Sequence, residues 1–219
     1  MSQHDSRTST AQRKARLNAV VGQHWPRSPW SNIDPQVIDT AKADVGVGLA
    51  LYYRPNGEAP LVVLMKAAGQ DKYQIPGGFM DLSPTGDATP QLAVARETVE
   101  ELVYPDGSPV LPFTTLAKRL ASRAPLDFNK ISVGGQPRIV SGFACPLTAR
   151  EFARISAYNH QLQHDPNLGQ QMRERTKGEI DGIGIFPLAH IQANPALLRH
   201  GDQASLFAKL GRRLRQPVP

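Results

Sequence analysis

The amino-acid sequence predicts a mixed α/β fold, and three observations carry that reading. Two apolar runs of strand length, Val45–Tyr53 and Leu61–Met65, come first and flank a turn-forming Arg54-Pro55-Asn56-Gly57 connection. A single helix-patterned segment then follows a glycine-rich stretch. Further strand-like runs alternate with further helix-patterned segments, which is the order of a layered α/β domain. No internal repeat breaks that order.

Each element has its own justification. The 45–53 and 61–65 runs are rich in β-branched and aliphatic residues and read as a hairpin. Gln74-Ile75-Pro76-Gly77-Gly78-Phe79 is a glycine-rich loop, and a further loop reaches Asp87. Thr89-Pro90 marks a helix start, because threonine can accept from the first free N–H groups and proline suits the first helical position. The helix is expected over Pro90–Val103, with an apolar stripe of Leu92, Ala95, Val99 and Leu102, and a stop at Pro105 and Asp106-Gly107. Strands are expected at Ile139–Ala144 and Ile180–Phe186. Thr148 and Glu151 form a capping-box pattern opening a helix to Gln163, and a last helix is expected over Ala204–Leu214. Residues 1–44 read as an N-terminal extension with an irregular Trp25–Trp30 arm, residues 45–191 as the domain, and residues 192–219 as a basic helical tail.

Composition narrows the classes. The chain has 219 residues and a formal net charge of +6, and glycine and proline make up about one residue in six. That length can bury a core without disulfides or structural metal. The single cysteine, Cys145, excludes a disulfide framework and a cysteine-built zinc site, and suits a reducing cytoplasm. No apolar run approaches the ~20 residues of a membrane helix, and Met1–Arg16 lacks the apolar stretch of a secretory signal. The positive excess sits toward the two ends, in Arg7, Arg13, Lys14 and Arg16 and again in Arg199, Lys209, Arg212, Arg213 and Arg215. Such a distribution suits a small phosphorylated substrate better than a nucleic-acid duplex.

The chemistry concentrates in Arg96-Glu97-Thr98-Val99-Glu100-Glu101. Glu97, Glu100 and Glu101 stand at i, i+3 and i+4, so their carboxylates leave one face of the helix, opposite the apolar stripe, and repel one another. A solvated acidic face is one reading. A site for a hard divalent cation, Mg²⁺ or Mn²⁺, is the other, since oxygen ligands on a rigid element suit such ions and the ion removes the repulsion.

With Pro76-Gly77-Gly78 before the loop, this stretch resembles the Nudix hydrolase family. The family's box reads G-x5-E-x7-R-E-U-x-E-E-x-G-U, U being a bulky aliphatic residue, and this chain supplies Gly78, Arg96, Glu97, Glu100 and Glu101. The resemblance spans roughly Asp44 to Ile191. It departs in three places: the loop Asp81–Ala88 carries about four extra residues, Thr98 replaces an aliphatic residue, and Val103 replaces a glycine. The first glutamate of the box is matched best by Asp87.

The resemblance implies a Nudix-type α/β/α sandwich around a mixed sheet, and hydrolysis of a pyrophosphate bond in a nucleoside diphosphate derivative by a metal-activated water. It implies that Glu97, Glu100 and Glu101, with the backbone carbonyl of Gly77, ligate the metal and that Arg96 orients a glutamate. The general base is Glu97 in the box, or Glu174 or Glu179 from a later loop. Lys66, Gly78 and Phe128 are candidate substrate contacts, whereas Phe79 is assigned to packing. His160 and His164 stand four apart on a helix with no third ligand nearby and read as surface. A non-catalytic binding or regulatory protein, its basic ends touching nucleic acid or a partner, is the alternative. The retained glutamates favour the enzyme. The Trp25–Trp30 arm offers a docking segment for a homodimer.

Overall fold

In the computed structural model, residues 44–56, 58–81, 87, 89–133 and 136–215 are described, so the Trp25–Trp30 arm lies outside the described residues. Seven strands form one mixed sheet: β1 (Asp44–Tyr53), β2 (Leu61–Ala67), β3 (Tyr73–Gln74), β4 (Gly77–Phe79), β5 (Asp127–Val133), β6 (Gln136–Pro146) and β7 (Ile180–Pro187). The helices are α1 (Pro90–Glu101), α2 (Phe113–Leu120), α3 (Ala149–His164), α4 (Pro166–Arg175), α5 (Leu188–Ala193) and α6 (Gln203–Arg215). None of them is long and apolar enough to cross a membrane.

The alternation of side chains along the central strands creates two cores, because successive residues of a strand face opposite sides. Val45, Val47, Leu49 and Leu51 of β1 and Val63 and Met65 of β2 join residues of α1, α2, α3 and α4 on one face. Ala50, Val62 and Leu64 join Leu188 and Ile191 of α5 and Leu206, Phe207 and Leu210 of α6 on the other. This is an α/β/α sandwich around a mixed sheet. The strands are apolar at nearly every position because both faces are covered. Each fully buried α6 side chain is worth roughly 1.5–3 kcal/mol, so residues 203–215, set apart by the sequence as part of a tail, are a structural layer of the domain.

One irregularity of the sheet positions the site. β1 runs parallel to β6 along its length, and β2 runs antiparallel to β7 along its length. Between them, β1 and β2 pair over only Leu51–Tyr53 and Leu61–Val63, then part. The chain from 73 to 79 fills the gap: β3 pairs with Met65 and Lys66 of β2, and β4 pairs with Gly46–Gly48 of β1. The glycine-rich loop is thus drawn into the sheet as two short strands. A Cβ on Gly77 would lie 2.2 Å from the Val47 carbonyl oxygen, so only glycine fits the seam there.

Besides β3 and β4, four elements escaped the sequence reading. α2, β5, α4 and α5 are short, and β5 carries polar residues that hide its alternation. Buried Asp127 at the start of β5 accepts from Ser205 Oγ and Lys209 Nζ of α6, and its carboxyl is held below the ordinary value by those bonds despite its burial. That charged pair ties the C-terminal helix to the sheet edge.

Candidate active site

α1 begins as its residues dictate. Thr89 is extended, at φ −146° and ψ 155°, and its Oγ1 accepts from the Leu92 N–H at 3.2 Å, with Pro90 in the first helical position. The buried side differs from the expected stripe: Gln91, Val94, Ala95, Thr98, Glu101 and Leu102 are buried, while Leu92 and Val99 are only partly so. The helix is therefore rotated by about one position, some 100°. Thr98 is accommodated because its hydroxyl donates to the Val94 carbonyl at 2.7 Å, which satisfies the polar group inside the core.

That rotation breaks the equivalence of the three glutamates. Glu101 falls on the buried side, 5% exposed. The Glu97 side chain is 15% exposed and the Glu100 side chain 56%. The acidic residues descend from solvent to interior instead of sharing one outward face. Glu101 Oε2 accepts from the Gly77 N–H at 3.0 Å, which locks the end of α1 to β4. Burial pushes its carboxyl up to about 8, against the pull of the Gly77 N–H and helped by the charges of Glu97, Glu179 and Glu100. Burial also raises Glu97, although Arg96 opposes it.

Arg96 is the hub of the site. Its Nε and Nη2 fork onto Asp87 at 3.2 and 2.9 Å, Nη2 also donates to the Phe79 carbonyl at 3.0 Å, and Nη1 lies 2.7 Å from Glu97 and 3.3 Å from Glu100. The Asp87 hydrogen bonds raise its affinity for the proton further, so it stays charged. Asp87 closes the lengthened loop at its neck, accepting from the Asp81 N–H at 2.8 Å and donating its own N–H to the Asp81 carbonyl at 2.9 Å. Residues 82–86 and 88 of that loop lie outside the described residues. Asp87, matched in sequence to the outer carboxylate, is here the partner of Arg96. Gly78 sits against Glu97: a Cβ there would lie 2.4 Å from Oε2.

A cleft of about 880 Å³ opens where β1 and β2 part. Glu97, Glu101 and Glu179 line it together with Arg96, Gly77 and Gly78. Glu179 reaches it from the turn before β7, and its carbonyl accepts from the Ala68 N–H at 2.9 Å. Phe79, assigned by sequence to packing, lines the cleft instead and is 47% exposed, because β4 ends at the mouth of the cleft. Four expected residues do not line it, the first being Glu100, the outermost of the three helix glutamates. Glu174 lies on the outer side of α4, accepting from Gln170 at 3.1 Å. Lys66 is in β2 beside Tyr73 and Gly182, and Phe128 is in β5, at the sheet edge beyond β6. His160 and His164 stack at 4.1 Å on the exposed face of α3. Gly77 meets Glu101 through its N–H.

The second wall of the cleft was invisible in the sequence. Leu198 bridges Tyr73, the Arg199 N–H donates to the Tyr73 carbonyl at 2.7 Å, and Arg199 Nη1 donates to Gln74 Oε1 at 3.0 Å. Gln203 Oε1 accepts from the Ile75 N–H at 3.2 Å. These residues sit in a basic stretch indistinguishable from a solvated helix face until strand β3 recruits it.

The fit to a divalent cation follows from the donor set. Among the described residues, no three carboxylate, imidazole or thiol groups already surround one point, because Arg96 occupies Glu97 and Glu100. The oxygen-only donors nevertheless suit a hard ion. Burial and the neighbouring carboxylates push the Glu101 carboxyl up to about 8, and a cation bound beside it would favour the ionised form.

No protein-family model matches the chain, and no curated protein matches it. Similar solved structures include a Caenorhabditis elegans (C. elegans) Ap4A hydrolase in a binary complex, at 15% identity over 78% of this chain and 97% of that one, TM-score 0.44. A Nudix hydrolase from Nitrosomonas europaea matches at 15% identity over 81% and 94%, TM-score 0.48. The Nudix domain of Shewanella oneidensis NrtR, complexed with ADP ribose, matches at 14% identity over 84% and 95%, TM-score 0.48.

Proposed function

We propose that this chain is a Nudix-type pyrophosphohydrolase acting on a nucleoside diphosphate derivative with Mg²⁺ or Mn²⁺. The observation that carries the reading is the meeting of Glu97, Glu101 and Glu179 in one cleft against Gly77 and Gly78. In this reading residues 45–191 supply the reacting groups, residues 1–44 are an extension, and the segment after 191 supplies the second wall.

Glu97, Glu100 and Glu101 would hold the ion, which neutralises charge on the pyrophosphate oxygens and lowers the pKa of a coordinated water. Glu179 is the general base: it faces the same space, comes from a different element, and is not engaged by Arg96. It takes the proton as the water oxygen bonds to phosphorus and the P–O–P bond breaks, leaving two phosphorylated products. Arg96 holds Glu97 and Glu100 in place and ties them through Asp87 to the loop neck. Gly78 keeps the space in front of Glu97 clear.

A panel of nucleoside diphosphate derivatives with and without Mg²⁺ or Mn²⁺ tests this, alongside Glu97→Gln, Glu101→Gln and Glu179→Gln. Turnover without metal, or full activity in all three variants, refutes the site. Nucleotide binding with no turnover of any compound would establish the non-catalytic alternative.

A further inference from the structure

Beyond its carboxylates, the cleft of about 880 Å³ has walls of a second kind. Val47, Ile75 and Val140 give it apolar surface, and Phe79, 47% exposed, stands at its mouth. Its other polar side chains come from β3 and from the segment that closes on β3, chiefly Gln74, Arg199 and Gln203. Apolar surface with an aromatic ring and a few placed polar groups suits a planar heterocycle. In a nucleoside diphosphate, that is the part the carboxylates leave unbound.

The two glutamines are each held by the oxygen. Arg199 Nη1 donates to Gln74 Oε1 at 3.0 Å, and the Ile75 N–H donates to Gln203 Oε1 at 3.2 Å. A guanidinium and a backbone N–H can only donate, so both amides must turn their oxygens toward the protein. Their nitrogens are what remains for the cleft. Neither Gln74 Nε2 nor Gln203 Nε2 has a partner among the described residues, and neither is sealed from solvent. Gln74 is only 6% exposed, so a ligand that fills the cleft displaces the water at that nitrogen and must accept from it instead. Arg199 likewise offers donors alone. The carboxylate of this wall, Asp202, lies close enough to act on His200, and both are more open to solvent than Gln74.

From these pinned amides we propose that Gln74 and Gln203 determine specificity, and that the cleft takes a nucleoside diphosphate derivative whose base presents a carbonyl oxygen to them. Arg199 is the positioning residue that keeps the Gln74 amide from turning over. Guanine and uracil carry such an oxygen where adenine and cytosine carry an amino group. An amino group there would meet the Gln74 amide donor to donor, and each would lose water without gaining a partner. The protein is thus selective for keto bases over amino bases. The proposal deepens the hydrolase reading and rests on it for the position of the pyrophosphate.

Guanosine, adenosine, uridine and cytidine diphosphates, each joined to the same hexose, test it. In wild type, kcat/KM should favour the keto base over its amino counterpart of the same ring size by about tenfold or more. Gln74→Glu keeps an acceptor for Arg199 and replaces the donor with an acceptor, so it should cancel or reverse that preference. Arg199→Met lets the Gln74 amide turn and should bring the ratio toward parity. A substitution that merely loosens the fold lowers both members of a pair alike and leaves the ratio standing. No keto preference in wild type, or the wild-type ratio kept in Gln74→Glu, would overturn the assignment, and the ratio kept in Arg199→Met would overturn the positioning role. Calorimetric Kd values of the four free nucleoside diphosphates with Mg²⁺ read the same ratio without turnover, again about tenfold in wild type and lost in Gln74→Glu. A protein that binds with this preference but hydrolyses none of the hexose compounds removes the hydrolase reading alone. Equal Kd values for keto and amino bases, or no binding, overturn the base assignment whatever the turnover.

Discussion

Glu101→Gln should stabilise the metal-free protein strongly at pH 8 and only slightly at pH 5. Glu101 is 5% exposed, and burial raises its carboxyl from the ordinary 4.5 to about 8. A carboxyl raised on folding favours the folded state while protonated, and that advantage disappears as pH climbs from 4.5 through 8. At 1.36 kcal/mol for each pH unit of separation, ionisation costs the fold on the order of 4 kcal/mol at pH 8 and about 1 kcal/mol at pH 5. Glutamine cannot ionise, yet its amide oxygen can still accept from the Gly77 N–H. For a domain of this size, the difference amounts to roughly 10 °C in Tm at pH 8. Thermal unfolding in EDTA between pH 5 and 8.5 measures it directly. Adding Mg²⁺ or Mn²⁺ should reverse the order, because only the carboxylate gains from a cation, and wild type should gain most at high pH, where no proton competes. A variant no more stable than wild type at pH 8 without metal would refute the argument that Glu101 is a buried, uncompensated charge.

Further expectations follow from the same geometry. Gly77→Ala drives a Cβ to 2.2 Å from the Val47 carbonyl oxygen and should cost about 3 kcal/mol or more by denaturant titration. Gly78→Ala meets a movable carboxylate instead, so it should keep most of its stability and lose kcat by displacing Glu97. Arg96→Lys retains the charge but not the fork onto Asp87, and should lower kcat/KM by about a hundredfold in steady-state assays. Lys209→Met removes the cation from Asp127, 2% exposed, but leaves its bonds from Ser205, Phe128 and Asn129, and should cost about 1–3 kcal/mol at neutral pH. Asp127 is depressed on folding, so its contribution is present above the ordinary carboxyl value and lost as pH falls below it; the penalty should shrink in acid melts. Glu179→Gln should reduce kcat by about 10²–10⁴-fold in steady-state assays, whereas Glu174→Gln should leave it unchanged.

Much of the scaffold was legible because its signals are local. Thr89-Pro90, the capping box of Thr148 and Glu151, and the dense apolar runs of β1, β2 and β7 each report their structure within a few residues. What was misread is the phase of α1, where Leu92 was placed on the core and Glu101 on the surface. Periodicity weighs residues by type, and a buried glutamate and a buried threonine look polar to it. The core accepts both because Gly77 and Val94 satisfy them.

The sequence by itself determined the class of fold, the start of the acidic helix, and the group Arg96, Glu97, Glu100 and Glu101, since i, i+3 and i+4 positions on one helix are neighbours in any setting. Only the tertiary structure decided which carboxylates share a space. It brought in Glu179 and left out Glu174, five residues away, because one precedes a strand that enters the sheet and the other lies on the exposed side of a helix. It also recruited Arg199 and Gln203 from a basic stretch that resembled any solvated tail. Those choices depend on where β1 and β2 part and which chain fills the gap. Such pairing is between residues far apart in sequence, and no local pattern records it.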